Sequence, residues 1–264
     1  MPEPLEPAAS VETPVPSDPT PRPAVTADSG TRPVLADRLT SCAEVVLCSG
    51  LPTQLSISLA LVAFGVPLLA PDGGLSLRYV ALLSLADSVL LVGLVLVFLR
   101  ARGESPRPVL FGGRRPRTEG ALGILLVPVV FLLVGAVAWA IARWAPGLKN
   151  VAENPLASLL RDPRDIAVFA FVVVIAGGVR EEVQRAFVLH RFDQHLGGAL
   201  LGLVLFSLAF GAGHALQGYD AAVMTGALGL FWGWIYLRRR SIVAPMVSHA
   251  AFNLIEVLHH GLRS

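Results

Sequence analysis

Three short stretches in the last third of the chain place polar side chains inside otherwise apolar sequence. The first runs from Arg180 to Arg185 and contains Glu181 and Glu182. The second ends at His214, and the third is His249-x-x-x-Asn253. Ionisable groups in a bilayer are costly and usually mark function. If the surrounding apolar runs cross a membrane, these stretches predict a functional site.

The residue types in these stretches suit hydrolysis. A glutamate and a histidine at one level can activate a water molecule as general bases. A second histidine and an amide can donate hydrogen bonds to a developing oxyanion, so the set could hydrolyse an amide bond. Alternatively, Glu181, His214 and His249 could hold a zinc ion that keeps one open position. The sequence leaves these two possibilities open.

The spacing predicts that the three stretches lie at one depth. Glu181 and His214 lie equally far along the chain from a turn at Gly197-Gly198, so antiparallel helices would bring them level. The charged stretch His190–His195 is expected to protrude at the membrane surface, which puts Glu181 about 14 Å inside it. His249 follows the cluster ending at Arg240 by the same distance, about 14 Å.

The composition predicts an all-α fold, a polytopic transmembrane helical bundle. Hydrophobic residues make up 54% of the 264 residues and charged residues only 15%, whereas soluble domains carry about 25% charged residues. Runs of about 20 apolar residues are long enough to cross a bilayer. They predict about seven spans: Val45–Leu69, Val80–Leu99, Ala121–Ile141, Ile166–Leu189, Ala199–Leu216, Ala221–Leu237 and Ile242–Leu258.

The chain divides into three predicted parts. Residues 1–36 are rich in Pro, Ala, Thr and Ser and predict a disordered tail. Residues 37–144 are expected to form N-terminal transmembrane helices, and residues 164–262 the core that carries the site. Asp87, alone in the second span, is expected to be a structural partner for an arginine or a backbone group.

Loop charge predicts the orientation in the cell membrane. Arginines cluster after the second span, from Arg100 to Arg117, and after the sixth, from Arg238 to Arg240. The positive-inside rule places both clusters, and with them the N-terminus, in the cytoplasm. The partners we expect are a protein or peptide substrate and the lipid bilayer. A net charge of +2 gives no indication of nucleic-acid binding.

The three stretches together resemble the motifs of the CPBP family. This family comprises CAAX prenyl endopeptidases of the type II, Rce1-like group and bacteriocin-processing or self-immunity proteins, and is also called Abi. The resemblance rests on Glu181-Glu182 with a following Arg185, on Phe210-x-x-x-His214 and on His249-x-x-x-Asn253. It covers about residues 165–260 and leaves out the earlier spans and the tail.

The resemblance implies a CAAX-type intramembrane endopeptidase. In this family the first motif supplies a catalytic glutamate, here Glu181, with Glu182 and Arg185 in support. The second supplies a histidine that helps activate water, here His214, and the third a histidine and an asparagine that stabilise the oxyanion. Members of the family are described as metalloproteases. A mechanism without a metal, in which a glutamate activates the water, is also argued for them.

This sequence departs from the family pattern in its first motif. The family has three residues between Glu-Glu and Arg, whereas only Val183 and Gln184 stand here before Arg185. The usual Phe-Arg-Gly is replaced by Gln184-Arg185-Ala186. The role of Arg185, and the choice between Glu181 and Glu182 as the base, are therefore less defined than the roles of the two histidines.

Two other functions are alternatives to proteolysis for this sequence. One is a non-catalytic member of the same fold that serves bacteriocin immunity or acts as a membrane scaffold. The other is a transporter with a polar pathway. A scaffold has no need to bury a complete Glu/His/His/Asn set, and a transporter would carry more polar residues in the other spans than Asp87, Thr53 and Gln54. Both considerations favour the protease.

Overall fold

A computed structural model of the chain describes residues 34–261. The predicted tail, residues 1–36, lies outside the described residues as far as residue 33. The described residues fold into helices and form no strand, which confirms the all-α fold class. The α-helices are α1 (Leu35–Leu47), α2 (Leu51–Ala63), α3 (Leu77–Ala101), α4 (Pro106–Phe111), α5 (Pro116–Trp144), α6 (Pro163–Val173), α7 (Glu181–His195), α8 (Ala199–Ala212), α9 (Tyr219–Arg239) and α10 (Val243–Gly261).

Local sequence signals explain where several helices begin and end. The Asp162 carboxylate accepts hydrogen bonds from the amides of Arg164 and Asp165 and caps α6, whose first residue is a proline. Ser76 caps α3 in the same way through the Tyr79 amide. Gly197 and Gly198, both with positive φ, make the sharp turn between α7 and α8.

The first predicted span is broken in the structure. α1 and α2 meet at an angle of 41°. Gly50 at the break has a φ of +89°, a conformation that side chains other than glycine rarely adopt. A Cβ atom at Gly50 would also lie 2.5 Å from the guanidinium of Arg180. The break therefore lets the backbone approach the polar centre of the bundle.

Within residues 34–261, three stretches are long and apolar enough to cross a membrane: α3, the segment Pro106–Trp144 that contains α5, and α9. The bent pair α1–α2 makes a fourth if it counts as one span. The structure thus supports a membrane protein but does not confirm the predicted count of seven. α8 has only 14 residues, and charged residues interrupt the apolar run through α7. Both features keep those helices below the ordinary requirement for a span.

The bundle has two chemically distinct ends. At one, the arginine-rich end, Arg239 pairs with Glu119 at 2.5 Å and Arg240 with Asp193 at 3.1 Å. At the opposite end, Asn154 contacts Gln217, and the Asn150 side chain accepts a hydrogen bond from the amide at the start of α9. α9 joins the two ends, since it begins beside Asn150 and finishes beside Glu119.

The charged stretch His190–His195, expected to protrude at the membrane surface, is exposed at Asp193 and Gln194 but partly covered elsewhere. Arg191 is fully buried and pairs with Glu44 of α1 and with Glu104 at 2.7 Å. His190 contacts the same Glu104 at 2.5 Å. Burial acts to raise the pKa of Glu104, but the neighbouring His190 and Arg191 outweigh it and hold that pKa below its ordinary value. α1 and the α3–α4 loop therefore cover part of this stretch through Glu44 and Glu104.

Within the described residues 34–261, the two helical parts expected from the sequence belong to one compact unit. α5 packs along α10, and α3 packs against the helices that follow residue 163. The predicted boundary between residues 144 and 164 separates segments of sequence but not separate bodies. Helices of the first part therefore contribute directly to the surroundings of the site.

We expect the arginine-rich end to face the cytoplasm, because arginines are retained on that side during insertion. Single cysteines at positions 115, 154, 218 and 239, in a background lacking Cys42 and Cys48, would be treated in intact cells with a membrane-impermeant thiol reagent. Labelling of Asn154→Cys and Gly218→Cys alone is the expected result. Labelling of Arg115→Cys and Arg239→Cys instead would show that the protein has the opposite orientation, with its arginine-rich end outside the cytoplasm.

Candidate active site

A helix with an internal π-turn segment carries the two glutamates. α6, the π-helix Val174–Arg180 and α7 follow one another without a break, so the chain is helical from Pro163 to His195. π-helical segments are rare and concentrate at functional sites, where they turn side chains out of the ordinary helical register. The segment ends directly before Glu181, at the point where the polar residues begin.

Two glycines in the π-helix allow α10 to approach closely. A Cβ atom at Gly178 would lie 2.6 Å from the Cβ of Ala250. A Cβ atom at Gly177 would overlap the side-chain nitrogen of Asn253 and would come within 3.9 Å of His249 Nε2. The absence of side chains at these positions brings both polar residues of α10 against the π-helix.

Glu182 is the buried centre of the site. Its side chain is 1% exposed and pairs with Arg185, one helical turn later. One of its carboxylate oxygens lies 2.9 Å from Nδ1 of His249, which connects α7 to α10. A carboxylate buried this deeply is stable only when it is paired and hydrogen-bonded. Both partners of Glu182 are therefore required by its burial.

Arg185 is fully buried and sits among aromatic rings. Its guanidinium carbon lies 5.3 Å from the ring centre of Phe206, 5.1 Å from that of Phe210 and 5.8 Å from that of Trp232. Ring faces attract a cation and can replace part of the hydration that the guanidinium loses. The aromatic rings of α8 and α9 thus stabilise the part of the Arg185 guanidinium that Glu182 does not contact.

The imidazole of His249 is fixed by a ring contact and by a hydrogen bond. Its ring stacks on the indole of Trp232 with 3.7 Å between centroids and 18° between planes. The indole nitrogen of Trp232 donates to the Ser248 hydroxyl at 3.0 Å, which in turn donates to the Pro245 carbonyl. With Nδ1 on Glu182, the remaining ring nitrogen, Nε2, points towards Glu181 at 3.7 Å.

Glu181 differs from its neighbour in being partly open and loosely held. Its side chain is 15% exposed. The nearest charged groups are His249 Nε2 at 3.7 Å and Arg180 Nη1 at 3.9 Å, both beyond hydrogen-bond distance. Glu181 therefore keeps oxygen lone pairs that no donor in the described part of the chain occupies, while Glu182 is committed to its two partners.

The structure confirms the prediction that Asp87 is a structural partner of an arginine. Its carboxylate is 2.5 Å from the Arg180 guanidinium, and both residues are buried. Thr53 and Gln54 of α2 also donate to Asp87. This group holds Arg180 beside Glu181, so helices α2 and α3, outside the resembling segment, reach the edge of the site.

His214 lies two residues beyond the end of α8, so that helix is shorter than the predicted fifth span. Its Nδ1 donates to the Phe210 carbonyl at 2.9 Å, which leaves Nε2 with a free lone pair. The Phe210 ring touches the His214 ring, with centroids 5.1 Å apart, and lies 6.4 Å from the His249 ring. His214 thus contacts the Phe210 ring, which lies beside His249. Among the described residues it makes no hydrogen bond to Glu182, Arg185 or His249.

The structure brings most of the predicted residues into one place by direct contact. Glu181, Glu182, Arg185 and His249 form one polar group, Asn253 borders it at Gly177, and His214 is one ring away. Trp232, Ser248 and Gly177 also contribute to this arrangement and are not among the predicted residues. Ser248 was detectable as a polar residue beside His249 in an apolar helix, whereas no pattern in the sequence links Trp232 to that histidine.

The three residues expected to bind a metal do not gather into a ligand set. Within residues 34–261, no three His, Cys, Asp or Glu side chains lie close enough together to hold a metal ion. His249 directs Nδ1 at Glu182, and His214 directs Nδ1 at the Phe210 carbonyl, so each histidine already uses one ring nitrogen within the protein. Glu181, His214 and His249 in this arrangement do not fit the zinc site that the sequence left open.

Comparison with protein families gives a match to the family described as Type II CAAX prenyl endopeptidase Rce1-like. It covers residues 163–255, from the first residues of α6 into α10. The match supports the resemblance to the CPBP family that the three motifs carry in this segment. The comparisons with curated proteins and with solved structures found no match.

Gly178→Ala should separate the π-helix from α10, because the added methyl group would lie 2.6 Å from Cβ and 3.2 Å from Cα of Ala250. We expect it to destabilise the protein by about 1–3 kcal/mol, as overpacking does. Gly135→Ala in α5 is the matched control, since its Cβ would meet no atom within 4 Å, and it should be neutral or slightly stabilising. Thermal unfolding in detergent micelles measures both, and equal midpoints for the two variants would show that the close approach is absent.

Proposed function

We propose that this chain, through the Rce1-like segment at residues 163–255, is an intramembrane endopeptidase that hydrolyses a peptide bond in a protein or peptide substrate. The family match supports a CAAX-type intramembrane protease kind of function. The three candidate membrane spans support a membrane setting.

The different surroundings of two adjacent glutamates carry the proposal. Glu182 is enclosed and bound to His249 and Arg185, whereas Glu181 is partly exposed and holds no hydrogen bond within the described residues. Two carboxylates in contrasting environments take different tasks in hydrolytic enzymes. This contrast favours Glu181 as the base and Glu182 as the residue that orients the imidazole.

The proposed reaction begins with a water molecule between Glu181 and the substrate carbonyl. Glu181 takes a proton as the water oxygen attacks the carbonyl carbon, and His214, through its free Nε2, helps to hold that water. The carbonyl oxygen becomes an oxyanion. Collapse of the tetrahedral intermediate breaks the C–N bond, and the proton passes from Glu181 to the leaving amine.

His249 and Asn253 are assigned to the oxyanion. Nε2 of His249 points out of the Glu182 contact, and when it carries a proton it can donate to the oxyanion. The Glu182 carboxylate then compensates the positive charge of the ring. Stacking on Trp232 keeps the ring from turning, so the donor is in place before the charge develops.

The substrate is proposed to reach the site from the arginine-rich end or sideways from lipid. On a helical rise of 1.5 Å per residue, His249 lies about 9 Å from the start of α10 at that end. A peptide bond must therefore enter the bundle in an extended form, free of its own secondary structure. A flexible terminal segment of a protein meets that requirement.

Glu181→Gln, His214→Ala and His249→Ala should each lower peptide hydrolysis by at least about 100-fold, since each removes a group that acts on the reacting atoms. Purified variants would be assayed with a library of quenched fluorescent peptides in detergent micelles. Glu256→Gln and His259→Ala are matched controls, because both residues lie on α10 outside the site. The controls should keep wild-type turnover.

Two results of the same assay would contradict the proposal. A wild-type protein that cleaves no peptide in the library, or a Glu181→Gln variant with wild-type turnover, would favour the non-catalytic member of the fold. Loss of activity in chelator that added zinc restores would contradict the metal-free mechanism. In that case Glu181, His214 and His249 would have to move together to bind the ion.

A further inference from the structure

We propose that a groove at the arginine-rich end binds the headgroup of an anionic phospholipid. The groove has a volume of about 660 Å³ and lies between the end of α3, the short helix α4 and the start of α5. Arg100, Arg107 and Arg114 line it, together with apolar side chains that include Leu96, Leu110 and Phe111. It lies apart from the candidate active site, and the proposal does not depend on proteolysis.

The arginines of this groove carry charge that nothing in the described part of the chain neutralises. Arg100, Arg107 and Arg114 are exposed and form no ion pair among residues 34–261. The acidic residues that flank this segment in the sequence are already engaged, Glu104 with His190 and Arg191 and Glu119 with Arg239. Three unpaired guanidinium groups around one groove attract a phosphate, which each can bind through two N–H donors.

The groove is held in shape by the beginning of α10 and the end of α9. The Val109 carbonyl accepts a hydrogen bond from the Tyr236 hydroxyl at 2.9 Å, and the Leu110 carbonyl accepts one from the Ile242 amide at 2.8 Å. Gly112 packs so closely that a Cβ atom would lie 2.6 Å from the Arg240 carbonyl. These contacts fix α4, so the backbone that carries Arg107 and leads on to Arg114 is positioned before a ligand arrives.

The surroundings favour a lipid over a soluble anion. The groove opens where α3 and the Pro106–Trp144 segment, two of the candidate membrane spans, leave the apolar region. Large apolar side chains stay exposed on both helices next to it, with Val97 59% exposed on α3 and Ile124 67% exposed on α5. A phospholipid can place its phosphate among the arginines and its acyl chains along these faces, which a soluble anion cannot do.

The test compares lipid binding by two variants that lose the same charge. The full-length chain would be purified, stripped of lipid and titrated with phosphatidylglycerol or phosphatidylcholine, and bound lipid counted by native mass spectrometry. The groove variant is R100Q/R107Q/R114Q. The control is R78Q/R143Q/R164Q, because those three arginines are exposed and lie on helix ends at the opposite end of the bundle.

The wild type and the control should bind phosphatidylglycerol at least about tenfold more tightly than phosphatidylcholine, and the groove variant should lose that preference. An unchanged preference in the groove variant, or an equal loss in the control, would overturn the proposal. Displacement of the lipid by inorganic phosphate or by a polyglutamate peptide would also overturn it in favour of a soluble anion or an acidic protein. Should the triple variant fail to fold, R107Q must lose the preference and R107K must keep it.

Discussion

The burial of the Glu182 carboxylate is the constraint on which the rest of the site depends. A charged oxygen deep inside an apolar bundle must be matched by a cation and by hydrogen-bond donors, or the helix that carries it cannot pack there. Arg185 supplies the cation from the next turn of α7, and His249 supplies a donor from α10. The position of α10 relative to α7 is thereby set by one polar contact, in a bundle where apolar surfaces alone would tolerate sliding.

Three further features of the structure permit this contact or hold the groups around it in place. The π-helix carries glycines where α10 must come near, so the contact is sterically possible. Trp232 covers one face of the imidazole and hydrogen-bonds to Ser248, so the ring has one orientation. The Asp87–Arg180 pair, with α2 behind it, stabilises the other side of Glu181. The last feature lies outside the family-matched segment, which indicates that the N-terminal helices belong to the working unit.

Much of this arrangement could be predicted from the sequence, and what could not has a physical reason. The polar residues in apolar runs identified Glu181, Glu182, His249 and Asn253, because a polar side chain in an apolar run is costly to bury and needs a partner or a function. Spacing alone could not assign the two glutamates, since adjacent residues share a depth and differ only in the direction of their side chains. The same limit applies to Trp232, whose contact with His249 depends on how α9 and α10 pack. The span count also exceeded what length and polarity support, because α7 carries charge where a spanning helix would be apolar.

The most direct test of the central claim is a double-mutant cycle on unfolding between Glu182 and His249. The free energies of unfolding of Glu182→Ala, His249→Ala and the double variant would be measured in detergent micelles against the wild type. Glu256 and His260, an exposed pair on α10 at 3.8 Å, provide a matched cycle with the same residue types. We expect a coupling energy of about 1.5–3 kcal/mol for the buried pair and below about 0.5 kcal/mol for the exposed one. Additive effects for Glu182 and His249, within about 0.5 kcal/mol, would contradict it.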